Sequence, residues 1–254
     1  AKKLDEWYEM SLRCMRCGLC RSVCPVFDVM GTESSVSRGK VQLIRALLER
    51  RLEPTGTLKQ MVSLCLNCGA CTTNCPSGVR AHEMILSARA ELLEKLGQPM
   101  MERMILRGVA GDSGRMALGA KATALYQKTG LRWLAHKTRL LSVLPGRLDR
   151  REEFVPNLPL RTARAGLKEI NGPDNATMRV AYFLGCTSNL LEPSVAVAVV
   201  EVLAHHGCQV LVPPRLECCG MPHLNYGDTQ MAARLEQTNV DILNKSNAEA
   251  ILVD

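Results

Sequence analysis

The sequence predicts an α+β protein with a helical N-terminal module over residues 1–96, a basic helical linker over 97–177 and a parallel α/β domain over 178–254. Three observations support this prediction. A cysteine motif is duplicated near the start, basic residues dominate the middle, and short apolar runs alternate with helical patterns at the end. With 254 residues, 46% of them hydrophobic, the chain is able to bury a substantial core.

Eight of the twelve cysteines form two runs that are copies of one another, 51 residues apart. Each run reads C-x2-C-x2-C-x3-C-P, the bacterial ferredoxin spacing, in which three thiolates of one run and the fourth of the other bind one [4Fe-4S] cluster. The first module is therefore predicted to be an all-α, two-cluster [4Fe-4S] ferredoxin module. The predicted ligand sets are Cys14, Cys17, Cys20 and Cys75 for one cluster, and Cys65, Cys68, Cys71 and Cys24 for the other.

Structural zinc is the alternative for these cysteines, because C-x2-C pairs also build zinc sites. Zinc sites usually separate two such pairs by a longer spacer, so the spacing favours iron and sulfide. A disulfide framework is typical of small secreted domains that lack a core, which does not describe this chain.

Two longer helices are expected in the first module. A 3.6-residue period from Val41 to Leu48 predicts one between the cysteine runs, and the apolar pattern from Val79 to Leu96 predicts another after the second run. Three basic residues lie near the predicted clusters in the sequence, namely Arg38, Lys40 and Arg80. Solvated surface positions are the expectation for all three, and partner steering or softening of the cluster charge is the alternative.

Residues 97–170 hold 14 Lys and Arg against 6 Asp and Glu, an excess that accounts for the whole net charge of +7. Leucines at helical intervals predict helices in its first part, and the prolines from Pro145 to Pro159 predict an extended arm. A docking surface for an acidic partner or for anionic lipid, including Arg147, Arg150 and Arg151, and a linker packed on its own domain are both consistent with this composition. Nucleic-acid binding is not expected, because aromatic residues are few and no reading motif is present.

The last part alternates strands and helices. Strands are predicted at Val180–Leu184, Gln209–Val212 and Ala250–Val253, with helices at Glu192–His206 and Thr229–Asn244 between them. Such an alternation predicts a parallel sheet with right-handed crossovers.

The remaining chemistry-bearing cysteines follow two of these strands. Cys186 comes after the first, and Cys218 and Cys219 come after the second, so the carboxyl ends of neighbouring strands are expected to bring them together. No G-x-G-x-x-G fingerprint is present, so neither NAD nor FAD is expected in this chain.

These motifs resemble a known family. The segments from Cys14 to Pro25, Ser37 to Ile44 and Cys65 to Arg80 resemble the iron–sulfur subunit of glycolate oxidase. They are also similar to the C subunit of anaerobic glycerol-3-phosphate dehydrogenase and to heterodisulfide-reductase-type proteins. The resemblance covers nearly the whole chain, because the lone cysteine followed by Cys218-Cys219-Gly220 fits the family's cysteine-rich CCG domain.

The resemblance implies that Cys186, Cys218 and Cys219 bind a further iron–sulfur centre or form a redox-active thiol site. The family continues with a second copy of the CCG pattern, so the chain is expected to be incomplete, with Asp254 inside that domain.

The expected function is that of an electron-transfer subunit of a multi-subunit oxidoreductase. A flavoprotein dehydrogenase for a hydroxy acid or glycerol 3-phosphate would supply electrons. Two [4Fe-4S] clusters would relay them to the CCG site, a quinone or another carrier. A membrane or quinone-reducing subunit is a further candidate partner. Two alternatives stay open: a catalytic thiol/disulfide subunit of the heterodisulfide-reductase type using Cys186, Cys218 and Cys219, and a zinc-stabilised interaction module.

The expected location is the cytoplasm. The longest unbroken apolar stretch, Val195–Val200, is too short to span a bilayer, and the charged first residues lack the apolar core of a signal peptide. Attachment to the cytoplasmic face of the membrane through a partner is left open.

Overall fold

The computed structural model describes residues 3–138, 152 and 154–253. The chain divides into two compact units, residues 1–103 with 220–233 and residues 104–219 with 234–254. The predicted α+β class is confirmed, because helices build the first unit and the second unit contains the sheet.

Helices and strands have the following bounds. In chain order the helices are α1 (Tyr8–Leu12), α2 (Leu19–Ser22), α3 (Pro25–Met30), α4 (Ser37–Leu48), α5 (Gly56–Ser63), α6 (Ala70–Thr73), α7 (Ala81–Leu96), α8 (Met100–Arg103), α9 (Ser113–Lys128), α10 (Leu131–Lys137), α11 (Ala163–Gly166), α12 (Cys186–Leu190), α13 (Pro193–His205), α14 (Met221–Asn225) and α15 (Thr229–Asn244). The strands are β1 (Ile170–Asn171), β2 (Met178–Phe183), β3 (Cys208–Leu211) and β4 (Ala250–Val253).

The core of the first unit forms between α4 and α7, the two helices that the periodicity predicts. Ile44 on α4 and Met84, Ile85 and Leu92 on α7 are almost completely buried. Apolar positions three and four residues apart place these side chains on one face of each helix. The helix pair is therefore the rigid frame from which the cysteine loops extend.

The second unit is built around a four-stranded sheet in the order β1-β3-β2-β4. Strand β2 is central and pairs in parallel with β3 and β4, so that Val180 lies opposite both Val210 and Ala250. The predicted parallel arrangement of these three strands is confirmed. Strand β1 pairs antiparallel with β3 and makes the sheet mixed. A strand of two residues is too short to show the alternation of apolar and polar side chains, so the sequence does not predict β1.

Within the described residues, the basic linker packs on its own unit. The backbone N–H of Ser113 donates to Glu217 Oε2 at 2.8 Å, and the backbone N–H of Arg164 donates to Asn189 Oδ1 at 3.0 Å. This agrees with the packed-linker interpretation. The segment 139–151, with the start of the expected arm and its three arginines, lies outside the described residues. No helix in the described part of the chain is long and apolar enough to cross a membrane.

Helix α4 begins against the 3₁₀ turn Glu33–Ser35 with almost no space between them. A Cβ atom added at Gly39 would lie 1.9 Å from the carbonyl oxygen of Glu33. Only glycine permits this approach, which holds the start of α4 next to the turn.

We therefore expect Gly39→Ala to lower the free energy of unfolding by about 1–3 kcal/mol, as overpacking does elsewhere. Gly56→Ala is the matched control, since a Cβ there meets no atom within 4 Å. That control should be neutral or stabilise by about 0.4–1 kcal/mol. Urea unfolding of the anaerobically purified protein, followed by circular dichroism, measures both. Equal stability of the two variants would contradict the packing at Gly39.

Candidate metal centres

The two cysteine loops have the same backbone conformation. Arg16 and Gly18 in the first loop have φ values of 58° and 90°, and Asn67 and Gly69 in the second have 57° and 75°. The same 51-residue offset relates both pairs, so the duplication extends from the sequence to the backbone. Left-handed residues of this kind turn peptide N–H groups into a concavity that suits an anion, as in many iron–sulfur sites. The N–H of Asn67 donates to Cys65 Sγ at 3.4 Å.

The thiols of the two runs surround two cavities. Cavity A is lined by the cysteines Cys14, Cys17, Cys20, Cys71 and Cys75. Cavity B is lined by the cysteines Cys24, Cys65, Cys68 and Cys71. Each cavity thus includes three cysteines of one run and the fourth cysteine of the other run. Cavity A also includes Cys71 of cavity B, so the two cavities adjoin. The assignment of each thiol to one cluster stays a prediction.

The donor set of each cavity fits an iron–sulfur cubane. All twelve cysteines lie within the described residues, and none forms a disulfide. In the described part of the chain, no three His, Cys, Asp or Glu side chains are placed to hold a single metal ion. The thiols are instead distributed around a cavity, as the four separate irons of a cubane require.

Burial opposes ionisation of these thiols. It raises the pKa of Cys20 and the pKa of Cys65. Because only a thiolate binds iron, nearby hydrogen-bond donors and positive charges assist ligation. For Cys65 the N–H of Asn67, then the charges of Arg89 and Lys40, act in this direction and lower its pKa.

The expectation that Lys40 is solvated is wrong. Its side chain is buried, with only 1% of the residue exposed, and it lines cavity B. The apolar periodicity of α4 places this position on the inner face of the helix, where the sequence alone suggests no role for a charge. Arg38 and Arg80 keep more exposed side chains and pair with Glu33 and Glu83.

Arg89 is a second buried cation, and the sequence patterns do not predict its burial. This residue of α7 is 5% exposed, and its guanidinium donates to the carbonyl oxygens of Val62, Ser63 and Cys65. It also donates to the carbonyl oxygen of Asn225 at 3.0 Å. Arg89 thereby ties the loop that carries Cys65 to the segment 220–233 of the same unit. A lone Arg in an otherwise apolar helical stripe is the only signal that the sequence offers.

The second unit contains the third cysteine group, Cys186, Cys218 and Cys219. Cys186 begins α12 just after β2, Cys218 is buried, and Cys219 is exposed. A hydrogen bond from the Cys218 side chain lowers the pKa of Cys186 to about 6 and so favours its thiolate form. A thiolate next to a second thiol suits either metal ligation or thiol chemistry.

Asn239 fixes the backbone at this third group. Its side chain accepts the N–H of Glu217 at 2.8 Å and donates to the carbonyl oxygen of Cys218 at 3.1 Å. Asn239 is buried on the inner face of α15, although asparagine usually prefers the surface. The residue therefore acts as a positioning group for Cys218, a role that requires the tertiary fold to be recognised.

Replacing Arg89 by Met should lower the free energy of unfolding by at least about 2 kcal/mol, because buried carbonyl groups lose their donor. Arg80→Met is the matched control just before α7, where loss of the pair with Glu83 and of the contact with the Trp7 ring should cost about 1 kcal/mol or less. Chemical denaturation of the iron-loaded protein measures both. An Arg89→Met variant as stable as the control would show that this hydrogen-bond network is dispensable.

Three family models match the chain in succession. Residues 10–79 match the 4Fe-4S dicluster domain, residues 97–155 match the linker region of the glycolate oxidase iron-sulfur subunit, and residues 180–254 match the cysteine-rich CCG domain. The chain is therefore an iron–sulfur protein, and the order of the matches follows the order of the cysteine groups.

Individual relatives give the same result. The chain is 29% identical to the "Probable glycolate oxidase iron-sulfur subunit" of Bacillus subtilis over 252 residues, 96% of this chain and 56% of that protein. It is 30% identical to the glycolate oxidase iron-sulfur subunit of Escherichia coli over 94% of this chain and 54% of that protein. Lactate utilization protein B of Macrococcus caseolyticus is 32% identical over 48% of this chain and 26% of its own length.

The chain spans little more than half the length of the two glycolate oxidase relatives. No solved structure matches it. Along nearly all of its own length the chain is a homologue of the glycolate oxidase iron–sulfur subunits, with a 4Fe-4S dicluster domain followed by a cysteine-rich domain.

Proposed function

We propose that the chain is the electron-relay subunit of a multi-subunit oxidoreductase and carries two [4Fe-4S] clusters. Cys14, Cys17, Cys20 and Cys75 would hold the cluster in cavity A, called cluster A. Cys65, Cys68, Cys71 and Cys24 would hold cluster B in cavity B.

The main support for this proposal is that the two cysteine-lined cavities adjoin. Cys71 and Ser37 line both cavities, so the two sets of thiols share a common wall. Neighbouring redox centres exchange single electrons readily, so two clusters in adjoining cavities would suit an electron relay. A single structural zinc ion would need its ligands at about 2.3 Å from one point, which the distributed thiols do not favour.

The protein contributes position and electrostatics, while the clusters would accept and release one electron at a time. The left-handed loops direct N–H groups toward the thiols, and the helix pair α4–α7 closes the apolar side of the cavities. Lys40 and Arg89 offset negative charge near Cys65. These features lower the free-energy cost of placing an anionic group in a partly buried site.

The relatives supply the proposed partner and substrate class. Because they are iron–sulfur subunits of glycolate oxidase, we infer a flavoprotein dehydrogenase partner that oxidises a small hydroxy acid. Electrons would continue to the CCG site, a quinone or another carrier, with a membrane or quinone-reducing subunit as a further partner. A reducing compartment, the cytoplasm, is the proposed location, because cysteines that bind clusters must stay thiolates.

Iron analysis tests the proposal directly. The anaerobically purified protein should be brown and contain about eight irons from the two cubanes, with further iron if the CCG site binds a centre. Cys208→Ser is the control, because Cys208 belongs to neither ligand set and begins β3. A colourless protein that contains zinc instead would support the interaction-module alternative and overturn the relay.

Paired substitutions test the exchange of the fourth ligand. Cys24→Ser with Cys68→Ser removes two proposed ligands of cluster B, so one intact cubane and about four irons should remain. Cys24→Ser with Cys17→Ser removes one ligand from each cluster and should leave no intact cubane. The opposite pattern in iron content and in the paramagnetic resonance of reduced samples would mean that each run binds its own cluster.

A second candidate is thiol chemistry at the CCG site, as in heterodisulfide-reductase-type proteins. The hydrogen bond between the Cys218 and Cys186 side chains is the observation that favours it. Reduction of a disulfide substrate there would take up two protons and two electrons, with the electrons delivered singly by the clusters. Cys219 would be the exposed member of the group.

Cys218→Ser separates the two candidates when the subunit is assembled with its dehydrogenase. The relay proposal predicts that hydroxy acid still bleaches the clusters at a rate similar to that of the unaltered complex, since those electrons enter from the flavoprotein. Stopped-flow absorbance measures this rate, with Cys208→Ser as the control. Loss of steady-state turnover with bleaching and cubane iron intact would favour catalysis at the CCG site, and full turnover would exclude it.

A further inference from the structure

Lys40 is a buried cation in the first turn of α4. Its Nζ donates to the carbonyl oxygen of Ser35, at the end of the 3₁₀ turn that packs against α4. Among the residues that the structure describes, no Asp or Glu forms an ion pair with it. A buried ammonium group without an anion is costly, so proteins seldom keep one without a compensating charge.

The groups that face Lys40 are thiols of cavity B. Its electrostatic neighbours are Cys65, Cys24 and Cys71, with Arg89 as the one nearby cation. Two of the three thiols come from the second run and one from the first, so Lys40 lines cavity B where the two runs meet. An anionic cluster in cavity B would supply the negative charge that the ammonium group lacks.

Cavity A does not have an equivalent cation. Two basic residues line it, Arg16 and Arg38. Arg16 is exposed, and Arg38 forms a bidentate ion pair with Glu33 and is 24% exposed. Water therefore screens both charges, and Glu33 neutralises much of the charge of Arg38. Lys40 lines cavity B and is buried, and the buried Arg89 acts on Cys65 of the same cavity. Cavity B therefore has buried positive charge, whereas the basic side chains of cavity A are at least partly exposed.

We propose that Lys40 makes cluster B the stronger electron acceptor of the pair. This inference rests on the proposed function. Adding one electron to a cluster adds one negative charge, and a buried positive charge at close range stabilises the reduced form more than the oxidised form. Charge near a cluster is one of the determinants of its reduction potential. Lys40 is thus a positioning residue that sets the direction of electron flow from cavity A toward cavity B.

Redox titration of the iron-loaded Lys40→Met variant, followed by paramagnetic resonance, tests the proposal. At a fixed ambient potential, the ratio of reduced to oxidised cluster B should fall about tenfold, which is a decrease of about 59 mV for a one-electron couple. Cluster A should be nearly unaffected. The same substitution in the Cys24→Ser, Cys68→Ser background, which should retain only cluster A, identifies which cluster responds.

Lys59→Met is the matched control. Lys59 also donates its Nζ to a backbone carbonyl oxygen, that of Gly97 at 3.0 Å, but this bond is exposed. Both cluster potentials should be unchanged in this variant. Lys40→Arg keeps the charge and should retain most of the wild-type potential, which separates charge from packing.

Three results would overturn the role of Lys40. They are full iron content with unchanged potentials in Lys40→Met, equal shifts in Lys40→Met and Lys40→Arg, and loss of iron from both variants. Loss of iron from Lys40→Met alone, with retention in Lys40→Arg, would support the need for a charge at this position. Absence of iron from the unaltered protein would instead contradict the proposed function.

Discussion

The structure depends on one constraint: eight thiols must be held around two adjoining cavities inside a small helical unit. Helices α4 and α7 meet this constraint by forming an apolar frame on one side of both cavities. The duplicated loops close the other side, with left-handed backbone conformations at matching positions. Ser37 and Cys71 belong to both cavities, so a displacement of either loop would affect both sets of ligands.

Electrostatics follows from the same constraint. Burial raises the pKa of Cys20 and Cys65, although ligation requires thiolates. Peptide N–H groups and the buried side chains of Lys40 and Arg89 oppose this effect and favour the thiolate form. Arg89 has a second function, because its bonds to the carbonyl oxygens of Cys65 and Asn225 join the second cysteine loop to the segment 220–233. One guanidinium therefore serves both the fold of the first unit and the environment of its thiols.

Much of this architecture could be predicted from the sequence, since it is encoded by local patterns. The cysteine repeat specifies the loops, the 3.6-residue periods of α4 and α7 specify the frame, and the bounds of α15 and β4 agree with their apolar patterns. What escapes the sequence depends on tertiary contacts. The burial of Lys40, the network of Arg89 and the buried amide of Asn239 involve polar residues that local patterns assign to the surface. Strand β1 is too short to have a period, and no local signal groups residues 220–233 with the first unit.

The central claim is that two one-electron centres lie side by side in this chain. Low-temperature paramagnetic resonance of the fully reduced, anaerobic protein tests it most directly. The account predicts signals from two reduced [4Fe-4S] clusters, broadened and split by their mutual magnetic coupling because the cavities adjoin. A reduced sample without any signal, or with one isolated cluster whose spectrum shows no coupling, would contradict it.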